Sequence, residues 1–518
     1  MQREKRISSY DASVRTIPFI AALFLLFASP LALAQTQPFA IEVVDADTGR
    51  GVPLVELKTV NHVQFYTDSA GLIAFDEPGL MNREVYFHIF SHGYEVAADG
   101  FGMRGKALKT VPGGNATIKI KRKNVAERLY RVTGEGIYRD TILLGRKAPI
   151  EQPVLNGRVL GQDSVFTTIY RGKIFWFWGD TNRESYPLGQ FHMSGATSQL
   201  PKDGGLAPSV GVNLNYFVDK DGFSRGMAPM KEPGPVWLDG IMAVKDDAGA
   251  ERMVARYSRM KSLDVRVEQG FMVYNDKTET FEKTTAIAKD LIAVPQGQPF
   301  LADVDGVPHF HFTMPYPHLR VKADFKSALD LSQYEAFTCM KANAKYDATN
   351  PPLDRDASGK LIWAWKRGSE FIDEKRQKEL IDRKHITPAE AWIDLRDIET
   401  KKRITAHGGT VHWNAHRKTY IAIWLELFGT SPLGEVWFTE SSKPEGPYRA
   451  ARKIVTHDKY SFYNPRHHPM FDENGGQIIY FEGTYADLIS GAKQLTPRYD
   501  YNQIMYRLDL ADERLKLE

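Results

Sequence analysis

The chain of 518 residues contains a single cysteine, Cys339. A lone thiol closes no intramolecular disulfide and supplies no Cys-x-x-Cys metal cluster, so it reads as a small buried hydrophobe. An excess of charge of one sign is also missing. Lys and Arg number 67 against 64 Asp and Glu, a formal charge of +3, and +1 once the first 34 residues are set aside. That balance gives no electrostatic footprint for a nucleic-acid partner. Glycine (41) and proline (28) stay well short of collagen-like or low-complexity levels, and 42% hydrophobic with 25% charged residues is the composition of a folded chain. No Gly-rich phosphate loop, serine nucleophile elbow or zincin helix is present.

Long apolar runs are nearly absent too. The one exception lies near the N-terminus, where Arg3, Lys5, Arg6 and Arg15 precede the run Ile17 to Phe27, and Ala32-Leu33-Ala34 then precedes Gln35. A basic region, a short apolar core and small residues at a cleavage point make a secretory signal. Pro18 and Pro30 bracket a run shorter than the ~20 apolar residues needed to span a bilayer, and no cysteine follows it to carry a lipid. The sequence therefore predicts removal of residues 1–34 and a soluble, monomeric protein, secreted or periplasmic, with no membrane partner.

Four segments follow from the turn chemistry. After the signal at 1–34, residues 38–123 hold short alternating runs separated by Asp47-Thr48-Gly49, Asp68-Ser69-Ala70-Gly71, His92-Gly93-Tyr94 and Pro112-Gly113-Gly114. This predicts a small β-sandwich. The runs IEVVDADTGRGVP (41–53) and TDSAG (67–71), with Gly93-Tyr94, resemble the carboxypeptidase regulatory-like, or prealbumin-like, domain. Residues 124–150 read as a connector.

Residues 151–515 repeat. Units begin at GQDSVFTTIYRGKIFWFWGD (161–180), LDGIMAVKDDAGAERMVARY (238–257), QPFLADVDGVPHFHFTM (298–314), HGGTVHWNAHRKTYIAIWLE (407–426) and NPRHHPMFDENGGQIIYFEG (464–483). Each is an apolar strand, a polar turn and a second apolar strand. Five such units predict an all-β chain with a five-bladed β-propeller behind the sandwich. Only Asp373 to Ala391, rich in Lys, Glu, Arg and Gln at helical spacing, breaks the pattern, as a helical insertion with a solvated face.

The first hairpin turns at Arg171-Gly172, so Asp163 and Asp180 are equidistant from the turn and face each other at its open end. Opposed antiparallel residues hold their Cβ atoms about 4.5–5.5 Å apart. The same alignment puts Glu426 and Glu482 where Asp180 stands, and Asp239 near the place of Asp163. Five acids then ring one mouth of the channel. Each also has a plainer reading, as an acceptor for a turn or a partner for an arginine. A funnel with several carboxylates suits glycoside hydrolysis, in which one acid protonates the leaving oxygen and another activates water or attacks the sugar. Repulsion and burial raise the pKa of one member and keep it protonated.

The run GQDSVFTTIYRGKIFWFWGDTN resembles the first blade of the five-bladed propeller glycosidases, with the nearest likeness to the family 183 endo-D-arabinofuranases and a more distant one to family 43. ESSKPEGPYRAARKIV (440–455) and YNPRHHPM (463–470) are similar to further family 43-type blade signatures. The resemblance implies Asp163 as general base or nucleophile and Asp180 as its catalytic or pKa-setting partner. The general acid stays open among Glu426, Glu482 and Asp180.

For substrate contacts the sequence offers Trp178, on the face of Asp180 and so a sugar-stacking platform, with Arg183, Tyr463, Arg466, His467 and His468. Of the adjacent histidines only one can face the channel. No metal-ligand spacing stands out; no cofactor is required, and a central cation such as calcium is compatible with the ring. Two other functions remain open: a polysaccharide lyase with Tyr463, Tyr499 or Tyr501 as base and Arg466 with His467 or His468 neutralising a uronate, and a non-catalytic carbohydrate-binding propeller. The partner in every case is a polysaccharide or oligosaccharide.

Overall fold

The computed structural model describes residues 37–488 and 490–518; the signal expected at 1–34 lies outside them. The first 85 or so described residues form two four-stranded sheets. One carries Leu72–Phe75, Phe39–Asp45, Asn115–Arg122 and Tyr94–Glu95, the other Gln64–Tyr66, Glu56–Thr59, Glu84–Phe90 and Gly105–Lys109. Alternation drives Ile41, Val43, Leu57, Phe75, Phe87 and Ile118 into the space between them, as expected of two-faced strands.

Six further sheets follow: a small three-stranded one of Val159–Gln162, Thr181–Arg183 and Tyr186–Gln190, and five that are each led by one hairpin of the repeat. Their first strands are Phe166–Tyr170, Val236–Lys245, Gln298–Val304, Ala406–Asn414 and Ser461–His467, and each packs against the next. The fifth closes on the first, where Asn464 Nδ2 donates to Ser164 Oγ at 2.7 Å and Arg466 Nε donates to the Val165 carbonyl at 3.1 Å. This is a five-bladed propeller. The first hairpin turns where the sequence demands it: Arg171 and Gly172 both adopt positive φ (50° and 75°), the geometry of a two-residue turn matched to strand twist.

The segment 124–150, read from sequence as a connector, does more. Its residues Glu127–Arg131 are the outermost strand of blade 5, paired antiparallel with Asn502–Asp509. The sequence ERLYR carries no apolar alternation to mark a strand, yet all five side chains are buried. Arg128 explains why this is tolerated. Only 1% exposed, it donates to the Pro53 carbonyl at 3.0 Å, to the His92 carbonyl at 3.2 Å and to Ser91 Oγ. Tyr499 adds a second tie by donating to the Thr67 carbonyl and accepting from the Leu54 amide. Sandwich and propeller are thereby one packed body, with Leu54 and Ala126 inside the apolar cluster of blades 4 and 5.

The insertion forms the helix Glu374–Asp382, capped by Asp373, whose side chain accepts from the Arg376 amide. Its face is not wholly solvated: Gln377 and Leu380 are fully buried, and Gln377 exchanges two hydrogen bonds with the Ile393 backbone. Cys339 packs with Met340, Leu361 and Leu380.

Replacing Arg128 with Met leaves three buried acceptors without a donor. We expect Arg128→Met to lower unfolding stability by roughly 2–4 kcal/mol, read as a fall in the denaturation midpoint. A change below about 0.5 kcal/mol would show that the sandwich is not held through this guanidinium.

Candidate active site

The first strands of all blades start at the same end of the channel, and the second strands finish there. Asp163 stands just before blade 1's first strand, and Asp180 just after its second. The ladder ends at the Phe166–Phe177 pair, and beyond it the Gly179 amide donates to the Asp163 carbonyl at 2.7 Å. A Cβ at 179 would lie 2.0 Å from Asp163 Oδ1, so any larger residue there would displace that carboxylate. The Asp163 carboxyl accepts from Tyr463 Oη at 3.0 Å, from the Tyr501 hydroxyl and from the Asp180 amide. Asp180 accepts at 3.4 Å from Nε1 of Trp237, a blade 2 residue.

Backbone strain gathers around this pair. Ser164, Asn464 and Tyr501 all hold positive φ (53°, 51° and 60°) without being glycine, a cost that persists only where the surroundings enforce it. Ser164 and Asn464 are pinned to each other, and the Ser164 amide donates to Thr484 Oγ1 at 2.9 Å.

Burial pushes Asp163 up to about 7, helped by the negative charge of Asp180 and opposed by its three donors. Burial likewise raises Asp180 to about 6, against the hydrogen bond from Trp237. Between those two values one carboxyl is charged and the other protonated, and the charge of Asp180 couples its titration to that of Asp163.

Of the other acids, Glu426 closes blade 4's second strand, whereas Asp239 lies within blade 2's first strand, Val236–Lys245, next to a bulge, and does not open its blade as Asp163 does. Asp239 Oδ2 pairs with Arg256 at 3.2 Å while Oδ1 accepts the Gly297 amide at 2.6 Å; burial raises its pKa against these partners. Glu426, at the end of blade 4's second strand, accepts from Trp437 Nε1 at 2.8 Å and is also raised by burial.

The structure corrects the others. Glu482 is not at a strand end, since its strand runs on to Ala486. It pairs in register with Arg466 and is fully buried, held by His468 Nε2 at 3.0 Å. His468 is itself fully buried against Trp176 and Phe471, and His467 bonds Asp472 at 2.7 Å. Neither histidine faces the mouth. Arg466, 3% exposed, spends Nε and Nη1 on the carbonyls of Val165 and Gly409, so it braces the channel and does not meet substrate. Trp178 is fully buried and stacked on Trp176, which rules it out as a sugar platform. Arg183 lies over Phe223 and pairs with Asp221 at 2.7 Å, away from the acids. Tyr499 sits at the sandwich junction.

Of the substrate contacts expected, Tyr463 alone joins the acids. Tyr501 joins them as a donor, not as a base: burial and the charge of Asp163 push its hydroxyl far above the ordinary range. Trp237 and Gly179 gave no signal in the sequence beyond their place beside aligned strand ends. Among the described residues no group of three or more His, Cys, Asp or Glu is placed to hold a metal ion, and no helix is long and apolar enough to cross a membrane.

No family model matches the chain, and no curated protein does either. Among solved structures the chain is similar to the exo-beta-1,3-galactanase of Phanerochaete chrysosporium, at 10% identity and TM-score 0.38, over 76% of this chain and 67% of that one. It is similar to an exo-1,5-alpha-L-arabinanase from a bovine ruminal metagenomic library at 10% identity and TM-score 0.34, over 68% and 94%. A third similar structure, the alpha-L-arabinanase of Cellvibrio cellulosa, shares 10% identity at TM-score 0.35, over 68% and 92%.

Proposed function

We propose that this chain is a glycoside hydrolase, with Asp163 as general base or nucleophile and Asp180 as its proton-bearing partner. One observation carries the reading: two adjacent mouth carboxyls, both raised toward neutrality, where one is charged and the other protonated at the same pH. The roles follow from the donors. Tyr463, Tyr501 and the Asp180 amide favour a charged Asp163, whereas Asp180 has the long Trp237 bond. Burial still leaves Asp163 the higher of the two, so the proton of the singly protonated pair rests mainly on Asp163, and the reacting form with Asp163 charged and Asp180 protonated is the minor arrangement. Glu426 is the alternative acid, on the far side of the mouth. The lyase reading loses its parts, since Arg466, His467 and His468 are committed to buried partners. The substrate class is a polysaccharide, with arabinofuranose-containing polymers foremost by the sequence resemblance, and the site of action is the periplasm or the exterior.

Asp163→Asn should reduce hydrolysis at least 10³-fold on every glycan the protein cleaves; turnover within tenfold of wild type would sink the assignment. Asp180→Asn and Glu426→Gln separate the acids, because a nitrophenyl leaving group needs no proton. The variant of the true acid regains most of its rate on a nitrophenyl glycoside and not on a polymer.

The pair holds one proton between about pH 6 and 7. Below that window both acids are protonated, and above it both are charged, so the pH–rate profile should be bell-shaped. Tyr463→Phe removes a donor that favours the charged form of Asp163, which should move the alkaline limb up by about 0.5–1 unit. Movement in the opposite direction would contradict the donor role. Export is checked by mass spectrometry of the mature chain, whose N-terminus should be Gln35.

A further inference from the structure

A cavity of about 560 Å³ lies between blades 3 and 4. Met314 and Pro315 in its wall follow the end of blade 3's second strand, Ala406 begins blade 4's first strand, and Leu427 follows Glu426 directly. All are mouth-end positions, so the cavity opens on the face that carries Asp163 and Asp180. Its third wall is the inserted helix Glu374–Asp382, the segment that breaks the blade repeat.

The polar groups of this cleft are unfinished. Tyr316 and His318 line it at 4% and 6% exposure, with their rings stacked at 5.6 Å and 12°. Neither Tyr316 Oη nor His318 Nε2 has a hydrogen-bond partner, although buried polar atoms are normally satisfied. Burial pulls His318 down to about 3, so its ring is neutral and, like a phenol, both gives and takes hydrogen bonds. Beside them Arg403 pairs with Glu374 at 3.0 Å. Cations and anions are mixed along the wall, which disfavours a phosphate, and Met314, Pro315 and Leu427 add apolar surface. Paired donors and acceptors beside an apolar face, in a volume within the roughly 300–1,000 Å³ of ligand sites, suit a ring that carries hydroxyls. Phe428, the residue after Leu427, is 80% exposed and held at φ 58°, a strained conformation for a bulky residue.

We propose that this cleft is a saccharide-binding subsite, which holds a sugar unit of the substrate away from the reacting bond. The polymer then lies across the mouth from blade 1 toward blades 3 and 4. This rests on the glycoside hydrolase reading, but its test can fail separately.

Two variants, Glu374→Gln and Arg403→Met, disarm the cleft, and thermal melting confirms that each folds. The ratio of polymer KM to nitrophenyl-glycoside KM should rise about fivefold to tenfold in both. A ratio within twofold of wild type overturns the subsite and leaves the hydrolase reading standing. Calorimetric titration of arabino-, galacto- and xylo-oligosaccharides of two to six units into the Asp163→Asn protein gives an answer independent of turnover. Binding by at least one series, at least fivefold weaker when Arg403→Met is added, supports the subsite. Equal affinity, or no binding of any series, overturns it.

Discussion

One buried guanidinium holds the channel in shape. Arg466 extends from blade 5, bonds carbonyls of blades 1 and 4, and lies over the ring of Phe166 at 4.7 Å. The charge of Asp239, on blade 2, offsets part of the cost of its burial. A cation so placed costs several kcal/mol to desolvate unless such partners surround it. Four blades are therefore registered around a single side chain, and the mouth acids inherit their spacing from that registration. The neutral overall charge conceals this local arrangement, in which buried cations sit beneath carboxyls that resist ionisation.

At the mouth the same economy of means recurs. Asp163 is fixed by hydrogen bonds from blade 5 and from the Tyr501 loop, while Asp180 is touched by blade 2. No single blade builds the site. The left-handed residues Ser164, Asn464 and Tyr501 turn the chain sharply enough to bring these groups together, at an energy that the surrounding packing must supply.

Much of this was legible because a hairpin is arithmetic. A turn at Arg171-Gly172 forces Asp163 opposite Asp180, and the repeat of such hairpins discloses the blades. The errors arose where the arithmetic was broken. A register shift between Tyr463 and Arg466 displaces blade 5, so Glu482 falls in mid-strand and inside the protein. Trp178 shares parity with Asp180, but the chain leaves the ladder at Gly179, and parity no longer reports a common face. The strand ERLYR looked polar because no sequence pattern announces that an arginine will find carbonyls in another domain.

Blade 5 takes its outermost strand from residues 127–131 and the neighbouring one from 502–509. The ring therefore cannot be completed until almost the whole chain exists. A ribosome delivers the sandwich first, then a strand with no partner, and some 370 residues later the segment that receives it. The closing strand waits as an open edge throughout, and the non-local contact it needs is of the kind that folds slowly. Completion of the acid pair is timed by the same event, since Tyr501 immediately precedes the receiving strand and Tyr463 leads the same blade. The protein acquires its reactive mouth last, when its far ends meet.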